Sequence, residues 1–258
     1  GRLQVDEQLW MARHLLAPGD AKAALRYVQP IITQRDAHAG RVRAEALMLA
    51  GQALRDLGNP DNAINSFAEV IAIGKGFELE ARLELAKTNM LAGDDEEALA
   101  MYQGLTASPD IPSDVAARAH FDSGTIYRRQ AERKSRAGDE VGAAELYEKA
   151  RESFNMLTIL YDLPVLSPLP ELGFIEAAEV TAELEGVLRA VNFYNRLASH
   201  QTYGSGPYGQ YAKAMSELIG GRKSVALQML KLLQRAEGLD ARLSERVSSQ
   251  LKAMEGGG

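Results

Sequence analysis

Ala46-Leu47-Met48-Leu49-Ala50-Gly51-Gln52-Ala53-Leu54, then Gly58-Asn59-Pro60, then Ala63-Ile64-Asn65-Ser66-Phe67: the reading of this stretch decides the fold. Its apolar residues recur with the period of an amphipathic helix on both sides of a Gly-Asn-Pro turn. Gly58 can take the left-handed conformation that ends a helix. Asn59 can accept a bond from the free amides of the next helix, and Pro60 suits a first turn, where no amide bond is lost. Gly51 and Ala63 are small enough for two helices to cross closely, and Phe67 fills the space beside the crossing. The stretch reads as an antiparallel helix pair.

The pattern recurs outward in both directions. Gly19, Gly58, Gly93, Gly138 and Gly221 are each followed five residues later by Ala24, Ala63, Ala98, Ala143 and Ala226. A larger residue stands four beyond each alanine (Val28, Phe67, Tyr102, Tyr147, Leu230), and Ile31, Val70, Leu105, Ala150 and Leu233 come three further on. Twelve residues before each alanine lies another small residue: Ala12, Gly51, Ala86, Ala131 and Ala214. Asp20, Asn59, Asp94 and Asp139 each follow a turn glycine at a helix start. No run alternates with the period of a strand.

These residues resemble the tetratricopeptide repeat, a helix–turn–helix unit of about 34 residues. The resemblance implies an all-α fold: a right-handed superhelix of stacked antiparallel helix pairs, five to six repeats and a C-terminal capping helix, with eleven to thirteen helices in all. The turn glycines are spaced 39, 35 and 45 residues apart, so only the second and third copies are near standard. Phe121, Gly124 and Tyr127 match the family's first-helix signature two helical turns early, which predicts an elongated first helix in the fourth copy. Ala178, Ala190, Tyr194 and Leu197, turning at Glu185-Gly186, suggest a degenerate fifth. Asp240 to Met254 reads as an amphipathic cap. Three prolines between Leu163 and Pro170 interrupt helical structure. We therefore divide the chain into regular repeats over 1–162 and degenerate repeats with the cap over 163–258, the second part continuous with the first. Val165, Leu166 and Leu169 are too apolar for a free linker, so this segment is expected to pack.

Composition narrows the function. The net charge of -6 opposes a nucleic-acid role, and no apolar run reaches the length of a membrane span. Hydrophobic residues at 46% and charged residues at 25% are those of a folding sequence. There is no cysteine, hence no disulfide, thiolate nucleophile or cysteine metal site. Gly1 and the closing Gly256-Gly257-Gly258 read as cuts from a longer polypeptide. A bacterial setting, periplasm or envelope before cytoplasm, is the expectation for localisation.

No constellation for catalysis or for a cofactor is visible. His14, His38, His120 and His200 are scattered, without ligand spacing. Gly220-Gly221-Arg222-Lys223-Ser224 lacks the earlier glycine and the preceding strand of a phosphate loop. Gly204-Ser205-Gly206 is not a nucleophile elbow. Asp94-Asp95-Glu96-Glu97, at a helix start, caps free amides and opposes the helix dipole. Arg128 to Arg136 is either a solvated helix face or a positive patch for an acidic partner. Tyr203, Tyr208 and Tyr211 either present contact area in a Gly-Pro-Gly loop or pack the seam between repeats.

The expected function is therefore a scaffold that binds a peptide or protein segment and is not an enzyme, with self-association or an accessory, ligand-binding role in an enzyme complex as alternatives. The resemblance places the partner in a concave groove lined by the first helix of each repeat. Glu45, Met48, Gln52 and Arg55, then Glu80, Leu83 and Lys87, then Arg118, Phe121, Thr125 and Arg128 are expected on that side. This mixture is unlike a clamp for a C-terminal carboxylate. Gln52, Arg55, Lys87, Phe121, Arg128 and Arg129 are the expected contact residues, with Tyr203 and Tyr208 next, although Phe121 fits the core equally well. Charge reversal at Arg128 and Arg129 is expected to leave the melting temperature nearly unchanged, as for exposed charges.

Overall fold

The computed structural model describes residues 4–17, 19–34 and 40–256. His38 lies outside them. Thirteen α-helices and no strand are present among the described residues. They divide into two compact units, 1–119 and 120–258.

The first unit holds α1 (Val5–Leu16), α2 (Ala21–Thr33), α3 (Arg41–Asp56), α4 (Pro60–Ile73), α5 (Glu78–Ala92) and α6 (Asp95–Thr106), and α7 (Ser113–Arg136) begins in it. From α1 to α6 each helix packs on the next, and α1 also meets α3 as α3 meets α5. That is the stacking of a solenoid, in which each repeat buries its apolar face only against its neighbours. The second unit holds the rest of α7, then α8 (Glu140–Ile159), α9 (Leu169–Glu185), α10 (Val187–Ala198), α11 (Pro207–Ile219), α12 (Lys223–Gln234) and α13 (Ala241–Gly256). The same consecutive packing runs from α8 to α13.

The repeat logic holds at atomic level. All five turn glycines have positive φ, from 73° at Gly58 to 97° at Gly93. The five alanines after the turns, the larger residues four beyond, and the small residues twelve before are all buried. A methyl group on Gly51 would lie 2.5 Å from the Phe67 ring, and one on Gly124 2.7 Å from the Phe154 ring. These glycines are therefore the close crossings of α3 with α4 and of α7 with α8. Two of the four expected caps form: Asp20 accepts from the Ala23 amide at 3.1 Å and Asp139 from the Gly142 amide at 2.9 Å. Asn59 instead accepts from the Asn62 side chain, and Asp94 makes no side-chain cap. Around Asp94, the acidic first turn of α6 acts on the dipole alone.

At 24 residues α7 is the elongated first helix that the displaced signature implies. The segment after α8 forms a single 3-10 turn, Pro164–Leu166, and α9 starts at Leu169. Leu166 is buried, but Val165 is exposed and takes no part in the packing. The expected division at 162/163 falls inside the second unit. There α9 is buried almost throughout its first three turns, including Phe174, Ile175, Ala177 and Ala178. A helix enclosed on every side is the centre of its unit.

Candidate functional site

In the first unit Gln52 and Arg55 on α3 face α5. The Arg55 guanidinium pairs with Glu84, and the Gln52 side-chain amide lies 3.5 Å from the same carboxylate. Arg55 and Glu84 are only 12% and 11% exposed, so this pair ties neighbouring first helices together. Two turns back along α3 from Gln52, Glu45 pairs with Arg13 of α1. Lys87 is half-buried, with no ion pair among the described residues. Burial, then Glu84, push the Glu80 carboxyl above its ordinary range, while Arg118 pulls it down. Met48 and Leu83, expected on the open side, are buried because adjacent first helices pack together.

In the second unit Arg128 is the centre of a charge cluster. It donates to Glu132 at 3.1 Å and to Glu179 at 2.7 Å, and it pairs with Glu176. Arg246, four helices later in α13, closes on the same two α9 carboxylates, Glu176 and Glu179. Burial alone would depress the Arg128 guanidinium; Glu176, Glu179 and Glu132 outweigh it and hold it above its ordinary value. Burial pushes the Glu179 carboxyl up, against the pull of Arg246 and Arg128. Beside this cluster runs a cleft of about 540 Å³, walled by Arg128, Glu179 and Tyr211 and by Arg242, Arg246 and Ser249 of α13. Burial pushes the Tyr211 hydroxyl up to about 12, so it stays neutral across the physiological range.

Of the eight residues expected at a partner surface, Arg128 lines this cleft. Phe121 takes the core alternative: it is buried, edge-on to Phe154 at 5.8 Å, with the Arg242 guanidinium 5.3 Å above its ring. Arg129 is half-buried and engaged. The basic run is not an open positive patch, since Arg136 reaches Glu132 and Lys134 holds Asp139 at 2.6 Å. With Arg128 clamped between carboxylates, reversing its charge would face an acid against Glu176 and Glu179. The expectation of an unchanged melting temperature is therefore corrected.

Tyr203 and Tyr208 are also buried, which puts them in the seam between repeats and not on a presented loop. His200 explains the order there. Its Nε2 lies 3.0 Å from Asp162, its Nδ1 accepts the Thr202 and Tyr203 amides, and its ring stacks on Tyr203 at 4.5 Å. Sequence reasoning missed Glu176, Glu179, Arg242 and Arg246. The available signal was two glutamates inside the apolar run Gly173 to Val180, a placement seldom stable without cationic partners. No group of potential metal ligands occurs among the described residues, and no described helix is long and apolar enough to cross a membrane.

Residues 45–73 match the family model of the tetratricopeptide repeat. That match falls on α3 and α4, and the helix pairs that recur along the described residues make the chain an all-α solenoid of helical repeats. A search of curated proteins returns no match. Among solved structures, a tetratricopeptide repeat protein from Parabacteroides merdae is similar at 14% identity, covering 97% of this chain and 98% of that one, with a TM-score of 0.42. MamA is similar at 18% identity, covering 72% of this chain and 91% of that one, with a TM-score of 0.45. The yeast Sti1 TPR2AB domain, solved as a complex with pHSP90, is similar at 13% identity over 97% and 98% of the two chains, with a TM-score of 0.35. Repeats of this kind typically form non-enzymatic scaffolds for protein interaction, because stacked helix pairs give extended surfaces and no deep pocket.

Proposed function

We propose that this chain is a non-catalytic scaffold that holds a peptide or protein segment against the first helices of its repeats, with the principal site in the cleft of the second unit. The observation that carries the reading is that cleft, where α7, α9, α11 and α13 bring fixed charges and a tyrosine to one open surface. Charges held by ion pairs lose little entropy on binding and impose register on a partner. The first-unit face of Gln52, Arg55 and Lys87 is a secondary contact in this proposal. On the family resemblance alone, the setting we assign is a bacterial multiprotein assembly on the envelope side, which fractionation of the native organism tests.

Affinity capture from that organism, with the wild type and Ser249→Trp in parallel, tests the site. Ser249 is exposed on α13 and lines the cleft, so an indole there fills the space without entering the core. The expected result is a partner captured by the wild type and lost in the variant, with the melting temperature unchanged. Equal capture by both places the site elsewhere. A wild type that captures only itself supports self-association.

A further inference from the structure

The helix α13 is attached in a manner unlike the other helices of the second unit. It approaches α12 over a shorter stretch than other consecutive pairs there approach one another. Leu243, Val247, Leu251 and Met254 form its buried stripe. Arg242 and Arg246, one turn apart, reach past α12 and α11 to groups on α7 and α9. Arg242 lies over the Phe121 ring, and Arg246 pairs with both Glu176 and Glu179. Beside that apolar stripe, the attachments to α7 and α9 include cation–π and ionic contacts, which weaken when water and salt enter.

The receiving surface has its own chemistry. Glu176 is 10% exposed at its side chain and Glu179 27%, and Arg128 is the cation that α7 supplies to them. Without Arg246 two carboxylates would share one guanidinium, a net negative site beside an aromatic ring. Such a site fits a second guanidinium, with another placed i−4 over the ring.

We infer that the α7–α9–α11 surface is a docking site for an amphipathic helix bearing arginines at i and i+4, and that α13 is its internal occupant, displaced by a partner helix of the same chemistry. This rests on the cleft being the partner site. It adds that α13 forms one wall of the cleft at rest and that the partner segment is basic and helical. A tethered helix competes at an effective concentration of about millimolar, so a free helix binds weakly until the tether is loosened.

The test uses the full chain and a fluorescent peptide of its own sequence from Asp240 to Met254. Wild type and Arg242→Ala/Arg246→Ala are titrated with the peptide at low salt, and hydrogen exchange is followed in α12 and α13 of both proteins. The double variant is expected to exchange α13 amides faster than α12 amides and to bind the peptide at least about tenfold more tightly than wild type. Adding Glu176→Gln/Glu179→Gln, or replacing both arginines of the peptide, is expected to abolish that gain. If α13 stays as protected as α12 in the double variant, α13 is a fixed cap and the inference falls. If α13 opens but the peptide binds no better, the surface is not a helix site and the inference also falls. Where α13 stays fixed, Ser249→Trp decides the cleft; where α13 opens, the indole leaves with it, and loss of capture by Glu176→Gln/Glu179→Gln decides the cleft instead.

Discussion

Replacing Gly51 with alanine isolates the close helix crossing on which the repeat is built. The added methyl would lie 2.5, 2.7 and 2.9 Å from three atoms of the Phe67 ring, and Phe67 is fully buried, so ring or backbone must move. Alanine also gains about 1 kcal/mol of helix propensity over glycine, which masks part of the steric cost. Gly104, in α6, supplies the control: it is exposed, and a methyl there meets nothing within 4 Å. Gly104→Ala is expected to stabilise by about 0.5–1 kcal/mol, and overpacking at Gly51 to cost about 1–3 kcal/mol. The propensity gain is common to both, so Gly51→Ala is expected to fall below Gly104→Ala by about 1–3 kcal/mol. Urea denaturation followed by helical circular dichroism measures the difference. Phe67→Leu in the Gly51→Ala background should show coupling of at least about 0.5 kcal/mol, because the smaller side chain vacates the contested space. Gly51→Ala as stable as Gly104→Ala, with no coupling to Phe67, would refute the crossing argument.

Arg128→Glu is expected to destabilise by about 1–3 kcal/mol, since it leaves Glu176 and Glu179 with Arg246 alone and sets a third carboxylate against them; a melt unchanged from wild type would contradict the cluster. Asp20→Ala is expected to cost about 1 kcal/mol through the lost cap at Ala23, while Asn59→Ala, which removes no cap, costs less in the same denaturation assay. Burial lowers the His120 pKa below its ordinary 6.5. Above that value both folded and unfolded states are neutral; below it the unfolded state takes up the proton first, so stability falls as pH drops from about 6.5. His120→Gln is expected to flatten that loss in melts between about pH 7.5 and 5, and an undiminished slope would assign it to other groups.

The parts of the fold legible in the sequence are those fixed by local chemistry. A glycine at positive φ, a small residue at a crossing and an apolar stripe announce themselves within one repeat, so Gly19 to Gly221, Gly51 and Ala63 could be placed in advance. The sixth-repeat turn at Gly221 and the degenerate turn at Gly186 follow the same rule, with φ of 82° and 89°. The site depends on which side chains meet across many residues, and no local spacing encodes that. Arg128 is 48 residues from Glu176, and Arg246 is 70 from it, so the exposed basic run of the sequence becomes a clamped cluster only when α9 and α13 are in place. Phe121, Tyr203 and Tyr208 show the converse. Aromatic residues near glycines suit a binding surface and a helix seam equally, and burial alone decides between them.

The proposed partner site lies on first helices of the second unit. Hydrogen exchange of the chain with and without its captured partner measures this directly. The prediction is slowed exchange in α7 around Arg128 and in α9 from Glu176 to Glu183, with altered exchange in α13 and little change in α8, α10 and α12. Protection confined to α8, α10 and α12, with the first helices and α13 unaffected, would contradict it.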